Sequence, residues 1–216
     1  MDLVVEGNIG AGKSTVLRYA SEYPDEKLDI HLEPVDVWIK LGIIKAYYND
    51  PRKYATTFQS VAFATHFSIA AQPRVPNHTR VLERSIAANK IIFAAAQYEL
   101  GNMDDTEWNA YNYWYDAITS KFTDVLNANV IIYLRASPET CMRRINTRDR
   151  EAETSISLDY IQLLHNKYEA WLMSPEMRDR VHVIDVDKDW ESEEQYRTYV
   201  HDELRKAIKS IRSSRC

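Results

Sequence analysis

Short apolar runs rich in β-branched residues alternate with longer helical patterns along the whole chain. The runs lie at residues 3–6, 28–32, 80–82, 130–134 and 181–186. Strands separated by helices form parallel sheets whose two faces are covered by those helices. The pattern therefore predicts a three-layer α/β fold in which a five-stranded parallel sheet is flanked by helices. Such sheets bind ligands at the carboxyl ends of their strands, so the residues directly after each run are candidates for function.

The long helical pattern at residues 51–72 carries polar residues on an otherwise apolar face. Gln59, Phe63, His66 and Ala70 follow at spacings of four, three and four, which places them on one side of a helix. A glutamine and a histidine beside an aromatic ring could line a pocket and hydrogen-bond a planar ligand. The alternative is a buried face whose polar groups are satisfied within the protein.

A second helical pattern, at residues 104–126, has a stripe of large apolar side chains at spacings of three and four. Its members are Trp108, Tyr111, Tyr115, Ile118 and Phe122. An aromatic platform for single-stranded nucleic acid needs basic neighbours, and this stretch is mildly acidic. The stripe therefore predicts core packing or a subunit interface, and we expect a homodimer.

Composition narrows the class of protein. The chain has 216 residues, 45% of them hydrophobic, with two cysteines and a formal net charge of -5. This length suits one domain over residues 1–216, and the acidic balance argues against a nucleic acid polymer as partner. The chain has no run of 18 apolar residues, so no membrane span is expected. Two cysteines imply no disulfide framework, and because the first strand begins at residue 2 or 3, we expect no cleavable presequence. We therefore expect a cytoplasmic protein.

A glycine-rich stretch joins the first run to the first helical pattern and fits the phosphate-binding pattern GxxxxGK[ST]. It consists of Gly7, Asn8, Ile9, Gly10, Ala11, Gly12, Lys13, Ser14 and Thr15. Glycines let backbone N–H groups approach an anion closely at a helix N-terminus. Lys13 would reach the outer phosphates of ATP, and the Ser14 hydroxyl would ligate Mg²⁺. A tight turn with an accidental match is the alternative, but the flanking strand and helix favour nucleotide binding.

Charged residues follow the second and third runs, at the expected ligand edge. Glu33 could accept a proton from a substrate hydroxyl, although a glutamate before Pro34 at a helix start is also favoured by the helix dipole. Glu83 occupies the position at which P-loop proteins often carry a carboxylate directed at Mg²⁺. Arg84 follows it into the cleft, and a structural salt bridge is the alternative role for the pair.

An arginine-rich segment follows the fourth run. Arg144 and Arg148 share one helical face, and Arg150 lies just beyond. Cationic residues favour a helix C-terminus, but forked guanidinium groups with few apolar neighbours are typical of a flap over phosphates. We therefore predict a lid at about residues 144–154. The residues after the fifth run, which could meet the nucleobase of the donor, are Asp187, Lys188 and Asp189.

These segments together make the chain similar to a known family of enzymes. They read EGNIGAGKST at 6–15, LEPVDVW at 32–38, FQ at 58–59, ERS at 83–85 and RxxxRxRxxE at 144–153. In this order they resemble the deoxynucleoside kinases of the deoxycytidine/deoxyguanosine kinase and mitochondrial-type thymidine kinase group, over about residues 3–190. The resemblance implies a P-loop kinase fold, ATP with Mg²⁺, and a deoxynucleoside as phosphoryl acceptor.

The resemblance also implies catalytic and donor-binding roles. Glu33 would accept the proton of the nucleoside 5′-OH, and Arg84 would orient that carboxylate and steady the transferring phosphoryl group. Glu83 would hold Mg²⁺ together with Ser14, while Lys13 would neutralise phosphate charge. The donor nucleotide would further contact Arg144 and Arg148, with Arg150 completing the lid and residues 187–189 near the donor base.

The resemblance implies that the acceptor nucleoside contacts more residues than the donor does. The substrate-binding set is Glu33, Trp38, Tyr48, Phe58, Gln59, Phe63, His66, Arg84, Asn89, Phe93 and Glu153. Trp38, for which core packing is the alternative, would lie against the base, and Phe93 would stack on it. Gln59 would make paired hydrogen bonds to the edge of the base, and Tyr48 and Glu153 would bind the sugar 3′-OH.

The base pocket departs from the family pattern at two positions. Relatives that prefer deoxycytidine or purines carry an arginine and an aspartate where this chain has His66 and Asn89, and thymidine-preferring or broad relatives carry a methionine and an alanine. An aspartate would accept from the cytosine amino group and repel the thymine carbonyl, whereas Asn89 can donate or accept. This favours a thymidine-accepting or broad enzyme.

Three functions remain to be compared. The first is phosphorylation of a 2′-deoxynucleoside at O5′ for nucleotide salvage. The second is a thymidylate kinase, which also couples a P-loop to a strand-end Glu-Pro but would be expected to carry an arginine beside it to clamp the acceptor phosphate. The third is a nucleotide-binding regulatory protein, which the joint presence of Glu33, Glu83 and Arg84 disfavours.

Overall fold

A computed structural model describes residues 2–22, 27–123, 130–148, 155–188, 190 and 192–213. Its parallel strands form one sheet in the order β2-β3-β1-β4-β5. They are β1 (Asp2–Gly7), β2 (Leu28–His31), β3 (Thr79–Glu83), β4 (Val130–Arg135) and β5 (Val181–Asp185). The predicted α/β class and the five-stranded parallel sheet are confirmed. β1, buried along its whole length, lies at the centre and pairs with β3 on one side and β4 on the other.

The helices follow the predicted alternation with strands. They are α1 (Lys13–Ser21), α2 (Val35–Lys40), α3 (Ile43–Asn49), α4 (Pro51–Ala70), α5 (Ile86–Ala88), α6 (Ala95–Glu99), α7 (Asp105–Thr119), α8 (Pro138–Arg148), α9 (Leu158–Leu172) and α10 (Glu193–Ser213). A π-helix at Asn89–Ala94 joins α5 to α6, and a 3₁₀ turn spans Pro175–Met177. Among the described helices, none has the length and apolar character needed to span a bilayer.

Side chains that alternate along β4 pack into two cores, one on each face of the sheet. Ile132 and Leu134 join a cluster with Val16 of α1 and Ile208 of α10. Ile131 and Tyr133 join a second cluster, which includes Leu164 and Tyr168 of α9. Because successive side chains of a strand point to opposite faces, both faces are covered, and the three-layer arrangement follows.

The apolar run at residues 28–32 predicts a buried strand, and this prediction is wrong. Strand β2 ends at His31 and is only half-buried, because it lies at the edge of the sheet and has a neighbour on one side only. Glu33 therefore follows an edge strand. His31 pairs with Leu82 of β3, so Glu33 still reaches the carboxyl edge of the sheet beside Glu83.

Helix α4 carries the predicted set of residues on its buried side. The Asp50 side chain caps its first turn by accepting from the Lys53 N–H, and Pro51 occupies the first helical position. The members of the face, all buried, are Gln59, Phe63, His66 and Ala70. The aromatic stripe of α7 is only partly in the core: Tyr111 is buried, whereas Phe122, beyond the end of α7, is 45% exposed.

The loop between β1 and α1 passes very close to α8. Gly10 has a φ of 82°, in the left-handed region, and a Cβ placed on it would lie 2.4 Å from the Cys141 carbonyl oxygen. Gly12 has a φ of 94°, but a Cβ there would come no nearer than 3.7 Å to the Tyr196 hydroxyl. Both positions favour glycine for conformation, and Gly10 also requires it for space.

We expect Gly10→Ala to lower the free energy of unfolding by about 1 to 3 kcal/mol more than Gly12→Ala, since overpacking adds that much to a conformational cost shared by both variants. Urea denaturation of the two variants and the wild type measures the difference. Equal destabilisation by both substitutions would show that α8 can move away from the added methyl group at no cost in free energy. That result would contradict the close packing of Gly10 against α8.

Candidate active site

A cavity of about 380 Å³ opens at the carboxyl edge of β1, β2 and β3. It extends from the glycine-rich loop to an aromatic region between α2, α3 and α4. The predicted site residues that line it are Ile9, Gly10, Gly12, Lys13, Ser14, Thr15, Glu33, Trp38, Tyr48, Phe58, Gln59, His66, Glu83, Arg84, Asn89, Phe93 and Arg148. The fold therefore gathers at one edge residues that are far apart in sequence.

Lys13 lies at the floor of the cavity with only 6% of its surface exposed. Its Nζ donates to the carbonyl oxygens of Gly7, at 3.3 Å, and Asn8, at 3.1 Å. Burial and the nearby Arg84 charge lower the pKa of the Lys13 ammonium to about 8, while Glu33 and Glu83 oppose the shift. An unscreened cation at this position is suited to bind phosphate oxygens.

Ser14 and Glu83 meet above the loop. The Ser14 hydroxyl donates to both carboxylate oxygens of Glu83, at 3.0 and 3.2 Å. Within the described residues, no group of three or more His, Cys, Asp or Glu side chains could hold a metal by itself. A hydroxyl and one carboxylate fit Mg²⁺, which usually takes few protein ligands and completes its shell with phosphates and water.

Glu33 and Arg84 form an ion pair at the middle of the cavity. The Arg84 Nε lies 2.8 Å from the Glu33 Oε1. Burial alone would raise the pKa of the Glu33 carboxyl, but the charges of Arg84 and Lys13 outweigh it and lower the pKa to about 2. The carboxylate is thus ionised at neutral pH. The Arg84 guanidinium also lies over the Phe93 ring, 4.3 Å from its centroid, a cation–π contact.

Polar groups at the far end of the cavity are buried and incompletely paired. The His66 Nδ1 lies within hydrogen-bond distance of the Asn89 side-chain amide, 3.1 Å from its oxygen and 3.0 Å from its nitrogen. Burial lowers the pKa of His66 to about 4, although the Glu33 charge opposes it, so the ring is neutral at pH 7. The His66 Nε2 and the Gln59 Oε1 are buried without a hydrogen-bond partner in the described structure. Buried polar atoms are nearly always paired, so these two indicate a polar ligand.

Aromatic rings form the wall around these polar groups. Trp38 meets Phe58 edge-on at 5.3 Å and His66 at 5.6 Å, and Tyr47 stacks on Phe58 at 4.8 Å. The Trp38 indole N–H is satisfied by the Thr65 hydroxyl at 3.0 Å. A flat apolar slot that ends in amide and imidazole groups suits a planar heterocycle.

Phe63 does not line the cavity, contrary to the expectation for α4. Its ring packs against Trp114 at 4.6 Å and Tyr115 at 5.2 Å, in the core beneath α7. The buried face of α4 is wider than the cavity. Phe63 can therefore lie on the same face as Gln59 and His66 and still point toward another helix, α7.

Several predicted donor-binding residues have structural partners outside the cavity. Asn8 donates to the Ile161 carbonyl at 2.9 Å, and Gly7 and Ala11 lie behind the lining of the loop. Arg144 donates to the carbonyl oxygens of Ala11, at 3.4 Å, and Val186, at 2.7 Å, which ties α8 to the loop. These contacts support the shape of the loop, although they are not themselves part of the cavity wall.

Residues after β5 also have local roles. Asp187 accepts from the Ser137 N–H and hydroxyl, at 3.0 and 2.8 Å, just before α8. Lys188 lies 5.9 Å from the centroid of the Tyr199 ring. Arg150, Glu153 and Asp189 lie outside the described residues, as does the whole predicted lid beyond Arg148.

Sequence reasoning missed part of the lining. The additional residues are Leu32, Val35, Asp36, Ile44, Tyr47, Ala62 and Tyr160. Ala62 lies three residues after Gln59, so the helical spacing could have found it. Tyr160 comes from α9, and no local pattern connects that helix with the pocket.

The arrangement is suited to phosphoryl transfer to a hydroxyl group. An ionised carboxylate, Glu33, lies between the glycine-rich loop and the aromatic end of the same cavity. Little covalent chemistry is needed from the protein in such a transfer, and positioning with charge neutralisation provides most of the catalysis.

Comparison with known proteins agrees with this geometry. The family model described as deoxynucleoside kinase matches residues 3–209. The chain is 38% identical over 187 residues to a probable deoxycytidine kinase of fowlpox virus, covering 86% of this chain and 77% of the relative. It is 29% identical over 238 residues to deoxycytidine kinase 2 of Gallus gallus, covering 95% and 89%. It is 32% identical over 192 residues to the mitochondrial deoxyguanosine kinase of Xenopus laevis, covering 79% and 72%.

The family match covers almost the whole length and includes every segment that builds the cavity. The chain therefore belongs to the deoxynucleoside kinase family and is an ATP-dependent enzyme that phosphorylates nucleosides.

Proposed function

We propose that the protein transfers the γ-phosphoryl group of ATP to the 5′-hydroxyl of a 2′-deoxynucleoside, as a step of nucleotide salvage. The observation that carries the proposal is the Glu33–Arg84 pair, which stands between the Lys13 loop and the polar end of the aromatic pocket. A nucleoside with its base at that end and its sugar toward the loop would present a primary alcohol to Glu33.

Glu33 is proposed to accept the proton of that alcohol. Because the charges of Arg84 and Lys13 hold the pKa of Glu33 below its usual value, this carboxylate is too weak a base to deprotonate a free alcohol before the phosphoryl group arrives. It takes the proton late, once bond formation to phosphorus has made the hydroxyl acidic, as suits a loose transition state. Arg84 holds the carboxylate and adds positive charge where the phosphoryl oxygens pass.

The donor side is proposed to use Lys13, Ser14 and Glu83. Lys13 would bind the outer phosphates, and Ser14 with Glu83 would hold Mg²⁺, which when bound neutralises phosphate charge. Arg148, which lines the cavity from the end of α8, would add a further cation at the donor phosphates.

The base pocket is proposed to accept more than one pyrimidine. The Gln59 amide offers one donor and one acceptor, so it can pair with cytosine or, after rotation by half a turn, with thymine. Asn89 and the neutral His66 carry no fixed charge that would exclude either base. Three relatives are named for deoxycytidine or deoxyguanosine. We propose a broad enzyme that accepts thymidine as well as deoxycytidine.

Three features of the whole protein are also proposals. We propose one domain over residues 1–216 with a lid at about 144–154, and a homodimer, for which the 79% exposed Tyr113 on α7 offers an unpaired aromatic surface. We propose the cytoplasm as the compartment, since the described cysteine, Cys141, is a buried free thiol.

The acceptor is tested with a panel of the four deoxynucleosides and thymidine monophosphate, each with ATP and Mg²⁺. We expect the nucleosides to give monophosphates with measurable kcat/KM, and we expect little turnover of the monophosphate. Preferential phosphorylation of thymidine monophosphate would identify a thymidylate kinase. ATP binding without turnover of any acceptor would identify a regulatory protein.

We expect Glu33→Ala to lower kcat about 100-fold or more, the usual effect of losing a general base. Glu169→Ala is the matched control, because Glu169 also pairs with an arginine, Arg135, but lies outside the cavity. Steady-state assays with saturating ATP measure both variants. Turnover of the Glu33 variant equal to that of the control would exclude Glu33 as the base.

We expect Asn89→Asp to lower the ratio of kcat/KM for thymidine to kcat/KM for deoxycytidine by about tenfold or more. The negative carboxylate would repel the partly negative carbonyl oxygen of thymine, whereas it could accept a hydrogen bond from the cytosine amino group. Asn112→Asp is the control, because Asn112 bonds to the Trp108 carbonyl on α7, away from the cavity. An unchanged ratio in the Asn89 variant would show that this side chain does not face the base.

A further inference from the structure

Arg84 has an unusual backbone conformation. Its φ is 70°, in the left-handed region that residues with a Cβ rarely adopt. The amides on both sides of this conformation are held by β1: the Arg84 N–H donates to the Val5 carbonyl at 2.9 Å, and the Ser85 N–H donates to the Glu6 Oε1 at 2.7 Å. Glu6 therefore helps to hold the backbone that directs Arg84 into the cavity.

The same glutamate also reaches the side chain of Arg84, directly through an ion pair of 4.0 Å between Glu6 Oε2 and Arg84 Nη1 and, more closely, through one intermediary. The Tyr168 hydroxyl on α9 accepts a hydrogen bond from the Arg84 Nη1 and donates to the other oxygen of Glu6, Oε2, at 3.2 Å. Glu6 and Tyr168 are both 0% exposed, so water does not provide an alternative partner. We call Glu6 and Tyr168 together the Arg84 clamp.

The clamp binds one edge of the Arg84 guanidinium, and the residue still lines the cavity. The Nε bonds to Glu33, and the Nη1 bonds to Tyr168 and, at 3.5 Å, to the Gly7 carbonyl oxygen, while no hydrogen bond of the Nη2 is found among the described residues. Burial raises the pKa of the Tyr168 phenol well above its usual value, so the hydroxyl keeps the proton that it donates to Glu6. Neither member of the clamp lines the cavity.

We propose that Tyr168 is a positioning residue for phosphoryl transfer: held by Glu6, its hydroxyl sets the plane of the Arg84 guanidinium so that one nitrogen faces Glu33 and another faces the transferring group. This inference rests on the proposed function of Arg84. It adds a buried residue of α9 that touches neither substrate nor donor. Without the hydroxyl, the guanidinium can rotate about its side-chain bonds, and its bond to Glu33 loosens.

The test is Tyr168→Phe, which removes the hydroxyl and keeps the ring in the core. Tyr133→Phe is the matched control: Tyr133 is also buried, stacks on Tyr168 at 5.9 Å, and donates to Glu169 at 2.8 Å, but has no bond to Arg84. We expect Tyr168→Phe to lower kcat about tenfold or more, as loss of orientation does. We expect the KM for the nucleoside to stay within about twofold, as when an interaction acts only in the transition state.

A double-mutant cycle separates positioning from packing. In an Arg84→Ala background, Tyr168→Phe should have no further effect on the rate, whereas Tyr133→Phe should have the same small effect in both backgrounds. Single-turnover assays with enzyme in excess keep the slow Arg84→Ala rates measurable. Glu6→Gln, which replaces one of the two accepting oxygens by an amide nitrogen and keeps the shape of the side chain, provides a second variant for the same cycle. Thermal unfolding of each protein shows whether it is folded.

The outcomes are distinct. A kcat loss confined to Tyr168→Phe and absent in the Arg84→Ala background supports the clamp. Equal rates for Tyr168→Phe and Tyr133→Phe, or a Tyr168→Phe effect that persists without Arg84, overturn it. A wild-type protein that phosphorylates no nucleoside contradicts the proposed function instead, and the panel of acceptors shows this before any variant is made.

Discussion

The structure depends on a balance of charge at the carboxyl ends of three neighbouring strands. Two cations, Lys13 and Arg84, are surrounded by three carboxylates, Glu6, Glu33 and Glu83. A buried charge is tolerated when it is paired or hydrogen-bonded. Arg84 pairs with Glu33 at 2.8 Å and with Glu6 at 4.0 Å, whereas Lys13 and Glu83 are held by hydrogen bonds to neighbouring groups. The parallel sheet makes the arrangement possible, because β1, β2 and β3 end at the same edge and bring these groups together.

This balance connects stability with catalysis. The charges that keep Glu33 ionised, those of Arg84 and Lys13, are the same charges that the proposed function uses to neutralise a triphosphate. The strained conformation at Arg84, which costs about 1 to 3 kcal/mol in such positions, is held by neighbours on β1 and α9. The sheet and α9 thus fix the position of the Arg84 guanidinium beside Glu33.

The sequence was sufficient to predict the sheet, its parallel pairing and most of the cavity, because the glycine-rich loop and the strand-end charges are local patterns with a physical meaning. The order of the strands within the sheet could not be predicted in the same way, because nothing in residues 28–32 shows that β2 lies at an edge. The face of α4 was predicted as one unit, yet Gln59 and His66 face the cavity and Phe63 faces α7. Tyr160 and Tyr168 could not be assigned to the site, since their contacts depend on how α9 crosses the sheet.

The π-helix at Asn89–Ala94 has a further consequence. Each of its turns closes over one residue more than a turn of the α-helices on either side, and this wider turn carries both Asn89 and Phe93. Loss of a single residue here would restore ordinary helical winding and rotate those side chains relative to each other. Among homologous chains, a change in length at this point would therefore be a more abrupt evolutionary route to a new nucleobase preference than an exchange of amino acids.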